Sequence, residues 1–200
     1  MDADRDPCQS VSDALTILEY AGSLEGITFA YVGDAPQPCN SLATTLTKLG
    51  MHVRIANAPG YEISPMVRQR AETFVADGGE SFLLTHDPIE AVQGADFINT
   101  DCWWWTGQEA EEPDRIAAFH TFRANADLWR HTKAGARFMH CLPAMRGEEV
   151  TDEIADSPAS IIFPQAGNRL HFEKALLLAL IGIDDPPADP ELKEIGEALL

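Results

Sequence analysis

The sequence lacks the glycine-rich segments that mark most nucleotide-binding proteins. The turn after its first apolar run reads V-G-D-A-P-Q-P-C, over residues 32–39, and contains neither G-x-G-x-x-G nor the lysine of a P-loop. A G-x-S-x-G segment, which would hold a hydrolase serine, is also missing. These absences argue against a dinucleotide-dependent enzyme, a P-loop nucleotidase and an α/β-hydrolase. We expect the protein to use no cofactor.

Positive charge is scarce as well. The chain has 14 basic residues, of which only four are lysines, against 32 acidic ones, and its formal net charge is −18. A field of this sign repels phosphate backbones and anionic lipid headgroups. We therefore expect neither nucleic acid nor a membrane surface among the partners.

Signals for membrane insertion, export and metal binding are missing too. The sequence contains no apolar run of the roughly 20 residues that a membrane-spanning helix requires. Its acidic start, M-D-A-D-R-D-P-C-Q-S, has no apolar stretch of the kind found in signal peptides. The cysteines Cys8, Cys39, Cys102 and Cys141 form no C-x-x-C pair. Neighbouring His140 and Cys141 would point to opposite faces of a strand, so we predict no metal site. The missing export and membrane signals predict a cytoplasmic protein.

Short apolar, β-rich runs alternate with helical patterns along the chain. The runs predict strands at residues 27–32, 52–56, 81–84, 96–100, 136–140 and 160–163, with helices at 41–49, 64–77, 87–94 and 168–183. Strands that are apolar throughout and separated by helices indicate a parallel sheet covered on both faces. We predict a doubly wound, Rossmann-like α/β fold.

Ligands of such sheets bind at the carboxyl ends of the strands, near the point where the strand order reverses. Four segments are expected at this edge of the sheet. They are residues 33–40, 101–108, 140–146 and 165–169.

The string F-M-H-C-L-P-A, residues 138–144, takes one predicted strand to this edge. Taken alone, a cysteine at such a place is more often a small buried apolar residue than a functional thiol. Followed by R-G-E-E-V-T-D-E and later by N-R-L-H, however, the string resembles the ornithine carbamoyltransferases. Other segments that fit the family in order are P-C-Q at 7–9, L-E-G at 24–26, V-G-D at 32–34, T-H-D-P-I-E-A-V at 85–92, and T-D to G-Q-E between 100 and 109.

The resemblance covers nearly the whole chain and implies that residues 1–183 form the amino-acid-binding domain, closed by a C-terminal crossover helix. Residues 184–200 would be an acidic tail. In the family, a carbamoyl-phosphate-binding domain with an S-T-R-T phosphate loop would precede Asp6, and this loop is absent from the sequence. The implied reaction transfers a carbamoyl group to the amine of ornithine, or of a related amino acid or diamine, with a citrulline-type product of arginine biosynthesis.

Individual residues match the chemistry of the family. Asp101 and Cys141 match residues that hold the attacking amine. Leu142 matches a position whose backbone carbonyl contacts the carbamoyl amide, and Gln9 matches a side chain that contacts the same amide. Arg169 matches a cation on the phosphate and carbonyl side, where a planar guanidinium suits an oxyanion.

Several positions depart from the family pattern. Asp6 replaces the histidine that donates to the carbonyl oxygen, and Gln37 replaces an asparagine. Trp105 and Thr106 replace the Ser-Met of a loop that grips the amino acid, and Gly167 replaces a glutamate. The candidate catalytic residues are thus Asp101, Cys141 and Arg169, and the candidate substrate-binding residues are Gln9, Gln37, Trp105, Thr106, His140 and Leu142.

Three interpretations remain open at this point. The chain is half of a carbamoyltransferase that works with a separate carbamoyl-phosphate-binding chain, a non-catalytic binding or regulatory module, or a truncated remnant. In each case we expect no citrulline from the chain alone. We also expect poor ornithine binding, because Trp105 adds a large apolar wall.

The C-terminal helix predicts association with another chain. From Asn168 onward it reads N-R-L-H-F-E-K-A-L-L-L-A-L-I-G-I, which is apolar over more than one face. A helix on one side of a sheet needs an apolar stripe only about 100° wide. We therefore predict a homo-oligomer or hetero-oligomer through this helix, with coverage by residues 184–200 as the alternative.

Overall fold

The computed structural model describes residues 6–35 and 37–182, so the predicted acidic tail lies outside the described residues. The helices are α1 (Pro7–Ala21), α2 (Gln37–Lys48), α3 (Pro65–Ala76), α4 (Pro88–Val92), α5 (Glu112–Phe119), α6 (Ala126–Trp129), α7 (Asp152–Ala155) and α8 (Ile162–Leu180). The strands are β1 (Thr28–Val32), β2 (His52–Ala56), β3 (Phe82–Thr85), β4 (Phe97–Thr100) and β5 (Arg137–His140). Within this part of the chain, no helix is both long and apolar enough to span a membrane.

The five strands form one parallel sheet in the order β3-β2-β1-β4-β5. The chain moves outward from β1 to β3 and then returns to the other side of β1. Phe29 of β1 accordingly pairs with Val53 of β2 on one side and with Phe97 of β4 on the other. The order therefore reverses between β1 and β4, and a ligand site is expected beyond the carboxyl ends of these two strands.

Strand β1 separates two layers of the hydrophobic core. Phe29 and Tyr31 point into a layer formed with α1, α2 and α3, whereas Ala30 and Val32 point into a layer formed with α4, α5 and α6. Alternate residues of a strand face opposite sides of the sheet, so helices lie on both of its faces. This arrangement confirms the predicted doubly wound, Rossmann-like fold.

Helices α3 and α1 each begin at a residue whose side chain caps the helix N-terminus. Ser64 Oγ accepts a hydrogen bond from Val67 N at 3.3 Å, and Pro65 occupies the first turn of α3, as predicted. At the start of α1, Asp6 Oδ1 accepts a hydrogen bond from Gln9 N at 3.0 Å. Asp6 is therefore the capping residue of the helix that carries Gln9.

The strand predicted for residues 160–163 is wrong. Ser160 forms only an isolated bridge with Phe138, and the chain enters α8 at Ile162. Pro164 accounts for the difference, because proline cannot donate to a sheet ladder but is tolerated in the first turn of a helix.

The helix predicted for residues 41–49 begins earlier, at Gln37, and ends at Lys48. Pro38 stands in its first turn, where a missing N–H leaves no intrahelical bond unmade. The N-terminus of α2 therefore lies inside the segment that was predicted as a ligand loop.

Candidate active site

A cleft of about 570 Å³ opens at the carboxyl ends of the central strands. Its walls come from the start of α1, the β1–α2 segment, the segments after β4 and β5, and helices α5 and α8. The lining residues are Asp6, Gln9, Asp34, Ala35, Gln37, Pro38, Asn40, Asp101, Trp105, Gln108, Arg115, Cys141, Leu142 and Arg169.

Most of the residues selected from the sequence meet in this cleft. Those that line it are Gln9, Gln37, Asp101, Trp105, Cys141, Leu142 and Arg169. Thr106 does not line it and is exposed, and His140 is buried beneath it. The other lining residues were not selected individually, although most of them lie in segments expected at this edge; they are Asp6, Asp34, Ala35, Pro38, Asn40, Gln108 and Arg115.

Asp101 and Cys141 lie next to each other in the cleft wall. Asp101 is 1% exposed, and its Oδ1 accepts a hydrogen bond from Cys102 N at 2.8 Å. Burial raises the pKa of Asp101 to about 6, although nearby His140 and Cys141 oppose the rise. Burial, followed by the charge of Asp101, raises the pKa of the Cys141 thiol well above its ordinary value. Near neutral pH the pair is therefore a carboxylate beside a neutral thiol.

His140 holds the loop that follows β5 in place. Its Nδ1 accepts a hydrogen bond from Leu142 N at 2.9 Å, so Nε2 carries the proton and donates to Glu149 Oε1 at 3.2 Å. The same Glu149 oxygen accepts from Met145 N at 2.5 Å. Leu142 has a φ of 62°, a left-handed conformation that leucine rarely adopts. We attribute the stability of this conformation to the buried His140–Glu149 pair.

Asp101, Cys102 and His140 lie close enough together to suggest a metal site, since their ligand atoms fall within 4.8 Å of one another. Their hydrogen bonds do not fit this use. Both ring nitrogens of His140 are engaged in the loop, and Cys102 Sγ donates to Pro143 O at 2.9 Å. The donor set thus fits a hydrogen-bonded loop better than a metal centre.

A chain of hydrogen bonds runs beneath the cleft from α8 through α1 to β5. Arg169 Nη1 donates to Gln9 Oε1 at 2.8 Å, and Gln9 Nε2 donates to Asp13 Oδ1 at 2.8 Å. Gln165 Nε2 donates to the same Asp13 oxygen at 2.7 Å, and Gln165 Oε1 accepts from His140 N at 2.8 Å. Two predicted residues, Gln9 and Arg169, are therefore oriented by a buried carboxyl that was not predicted. Asp13 lies four residues after Gln9 on α1, and this spacing could have predicted that the two side chains meet.

The guanidinium group of Arg169 lies at the open side of the cleft between acidic neighbours. Its Nε donates to Glu173 Oε1 at 2.9 Å, and its Nη1 lies 3.9 Å from Asp6 Oδ2. Hydrogen bonding to Glu173 raises the pKa of Arg169, so the group remains charged. Part of its charge is already compensated within this chain.

The opposite wall holds a buried ion pair that sequence reasoning missed. Arg115 Nη1 donates to Asp34 Oδ2 at 2.7 Å and to Trp103 O at 3.0 Å, while its Nε donates to Glu111 Oε2 at 2.8 Å. Burial raises the pKa of Asp34, although the Ala35 N–H and Arg115 oppose the rise. Asp34 follows β1 directly, which was a usable signal for a site residue. Arg115 is 81 positions away along the chain and gave none.

The three consecutive tryptophans occupy three different environments. Trp103 is fully buried and stacks on Phe119 with ring centroids 5.9 Å apart. Trp104 Nε1 donates to Glu148 Oε2 at 2.9 Å, and only Trp105 contributes to the cleft wall. The run therefore combines core packing, loop support and one apolar surface at the site.

Comparisons with known proteins identify the family of this chain. The profile described as "Aspartate/ornithine carbamoyltransferase, Asp/Orn binding domain" matches residues 25–180. The chain is 48% identical over 176 residues to an ornithine carbamoyltransferase of Pyrococcus horikoshii, covering 88% of this chain and 56% of that protein. It is 47% identical over 175 residues to the Bacillus subtilis ornithine carbamoyltransferase, covering 88% and 55%.

A solved structure extends the agreement to the fold. The ornithine carbamoyltransferase of Pyrococcus furiosus superposes with a TM-score of 0.84 at 48% identity, covering 87% of this chain and 56% of that one. The chain thus spans about half the length of the relatives it matches. By profile, sequence identity and fold together, the chain belongs to the aspartate/ornithine carbamoyltransferase family, and its matching region is the Asp/Orn-binding domain.

Proposed function

We propose that this chain binds the amine substrate of a carbamoyl transfer reaction and presents it to a carbamoyl-phosphate-binding half that these 200 residues do not include. The observation that carries the proposal is the meeting of Gln9, Asp101, Cys141, Leu142 and Arg169 in one cleft. These residues come from four separate segments, and their convergence supports a shared ligand. The amine in this proposal belongs to ornithine or to a related amino acid or diamine.

The reaction makes one bond and breaks one. The amine nitrogen forms a bond to the carbonyl carbon of carbamoyl phosphate and loses a proton, while the carbon–oxygen bond to phosphate breaks. Phosphate leaves with the electron pair of that bond. The amine must be uncharged when it attacks, so the site needs a group that accepts its proton.

Asp101 is suited to accept this proton. A pKa of about 6 leaves it ionised near neutral pH but makes it more basic than an exposed aspartate. Cys141 next to it remains a neutral thiol, because burial and the Asp101 charge raise its pKa. We assign Cys141 a contact with the amine rather than a nucleophilic attack, which would require the thiolate.

We assign Arg169, which lines the cleft, to the side on which the carbamoyl oxygen would become negative. A guanidinium can stabilise such an oxyanion through two hydrogen bonds. Gln9 accepts a hydrogen bond from Arg169, but the carboxylates of Glu173 and Asp6 lie close to the same guanidinium and offset its positive charge. This compensation supports the interpretation that the chain alone is a poor catalyst, and it is the observation that favours a non-catalytic amine-binding module as the second candidate.

Both candidate functions, the half of a carbamoyltransferase and the non-catalytic module, require amine binding, which can be tested with the isolated chain. The ¹⁵N-labelled full chain is titrated with ornithine, lysine and 1,4-diaminobutane while its amide resonances are followed. We expect shifts that map to the cleft for at least one amine. The Asp101→Asn variant should weaken this binding at least about tenfold, because a hydrogen bond to a charged group contributes roughly 1.5–3 kcal/mol.

Glu153→Gln is the matched control, since Glu153 is an exposed carboxylate on α7 away from the cleft wall. It should leave the affinity unchanged. The proposal fails if no amine shifts cleft resonances, or if Asp101→Asn binds as tightly as the unmodified chain.

A further inference from the structure

The charge of the cleft wall is predominantly negative. Three carboxylates line it, from Asp6, Asp34 and Asp101, against two guanidinium groups, from Arg115 and Arg169. The net charge of −18 over the whole chain adds a long-range field of the same sign. Cations are therefore concentrated near this cleft and anions are repelled from it.

The guanidinium groups do not offer uncompensated positive charge. Arg115 bonds to Asp34 within the wall and to Glu111 behind it, at 2.7 and 2.8 Å. Arg169 bonds to Glu173 at 2.9 Å. A ligand carboxylate would have to compete with these resident carboxylates for each guanidinium.

The cleft wall also offers hydrogen-bond acceptors. The carboxylates of Asp6, Asp34 and Asp101 and the side-chain amide of Asn40 line it. Ammonium groups donate up to three hydrogen bonds and accept none. The wall thus fits a ligand that carries amines.

The N-terminus of α2 is the part of the wall where a carboxylate would ordinarily bind. Gln37 and Pro38 form its first turn and line the cleft. Pro38 has no N–H to donate, and the Asp34 carboxylate lies in the same wall. This helix end is therefore weakened as an anion site.

Trp105 provides the apolar part of the wall. An indole ring packs well against a methylene chain, and its face also attracts an ammonium group. The wall therefore combines an apolar surface with acceptors for cationic ends.

We propose that the cleft selects a linear diamine without a carboxylate over an α-amino acid. This inference rests on the proposed amine-binding function and specifies its substrate class. The informative pair of ligands is 1,4-diaminobutane and ornithine, because they differ only by the α-carboxylate. Both amino groups of the diamine are protonated near neutral pH, as a lysine amine with a pKa of about 10.4 would be.

Calorimetric titration of the full chain near neutral pH measures the preference. We expect 1,4-diaminobutane to bind at least about tenfold more tightly than ornithine, and norvaline, which keeps the carboxylate and lacks the second amine, to bind most weakly. Equal or tighter binding of ornithine would overturn the diamine preference while supporting the proposed function. Absence of binding by every amine would overturn the proposed function and this inference together.

The Asp34→Asn variant tests whether the negative charge of the cleft wall causes the preference for the diamine. Loss of this carboxylate frees Arg115 to pair with a ligand carboxylate, so the ratio of diamine to ornithine affinity should fall by at least about threefold. Glu153→Gln removes an exposed charge elsewhere and should leave the ratio unchanged. An unchanged ratio in Asp34→Asn, with native chemical shifts elsewhere, would contradict the role of the wall charge.

Discussion

Asp13 is a carboxyl group buried beneath the site. Two glutamine side chains donate to its Oδ1, its Oδ2 has no partner among the described residues, and burial raises its pKa to about 7. A folded-state pKa above the ordinary value of 3.8 means that the folded protein binds this proton more tightly than the unfolded chain does. Stability from Asp13 is therefore present at low pH and is lost as the pH rises towards 7.

The Asp13→Asn variant should remove this pH dependence. Between pH 5 and pH 8, the free energy of unfolding should change in favour of the variant by about 2.6 kcal/mol, because about two pH units separate pH 5 from the folded-state pKa and each unit corresponds to about 1.4 kcal/mol. Urea denaturation of both proteins at the two pH values measures the difference. Comparison with Glu153→Gln corrects for the general loss of one negative charge. A difference that does not change with pH would show that Asp13 titrates normally.

The sequence predicted site residues only where a local pattern existed. Asp101, Cys141 and Leu142 follow strands directly, and the resemblance predicts their roles. The contacts of Arg115 and Gln165 could not be predicted in the same way. Their partners Asp34 and Asp13 lie 81 and 152 residues away, and helical periodicity does not report contacts over such distances.

Helix α8 has two different sides. Its inner side carries Gln165 and Asn168, which are buried against α1, where Asn168 Nδ2 donates to Thr16 Oγ1 at 3.0 Å. On its outer side, Leu170, Leu177 and the following Ile181 are 55%, 61% and 67% exposed. Their spacing of seven and four residues places them on one face. This exposed apolar stripe is what the sequence predicted for a helix that meets another chain.

We expect the purified chain to self-associate or bind a partner through this stripe, and Leu177→Glu or Ile181→Glu to reduce that association. A charged side chain at the centre of an apolar contact is costly to desolvate. Sedimentation velocity over a range of concentrations measures the effect.

The matched control is His171→Glu, which adds the same carboxylate at an exposed position of α8 outside the stripe. It should change the sedimentation little. If the chain without residues 184–200 sediments as a stable monomer that does not aggregate, the stripe is not an interface.

Element boundaries were predictable where burial and capping agreed. The predicted strand at 52–56 matches β2, and Ser64-Pro65 located the start of α3, because both signals are local. Residues 160–163 misled the prediction, because their short apolar run is equally compatible with a buried helix start. In this case Pro164 decided the outcome.

At the scale of the whole molecule, the proposed function gives this chain only the amine side of the reaction. The resemblance predicts that Asp6 stands where the family has a donor to the carbonyl oxygen, and the sequence contains no S-T-R-T phosphate loop. We expect the isolated chain to form no citrulline from carbamoyl phosphate and ornithine. A colorimetric ureido assay at high protein concentration checks this expectation.

The Asp101→Ala, Cys141→Ala double variant sets the background of the assay. Turnover clearly above that background would show that these 200 residues suffice for catalysis. A second assay adds a separately produced domain that carries the phosphate loop. Turnover that appears only in the mixture would support a two-chain enzyme.

The bonds between α1 and α8 have a consequence for the order in which the molecule forms. Arg169 and Gln9 are 160 residues apart, and Gln165 and Asp13 are 152 apart. The ribosome makes α1 before α8. The hydrogen bonds between these two helices beneath the cleft can therefore form only after α8 has been synthesised. Amine binding during synthesis or refolding should therefore appear only after α8 has packed against α1.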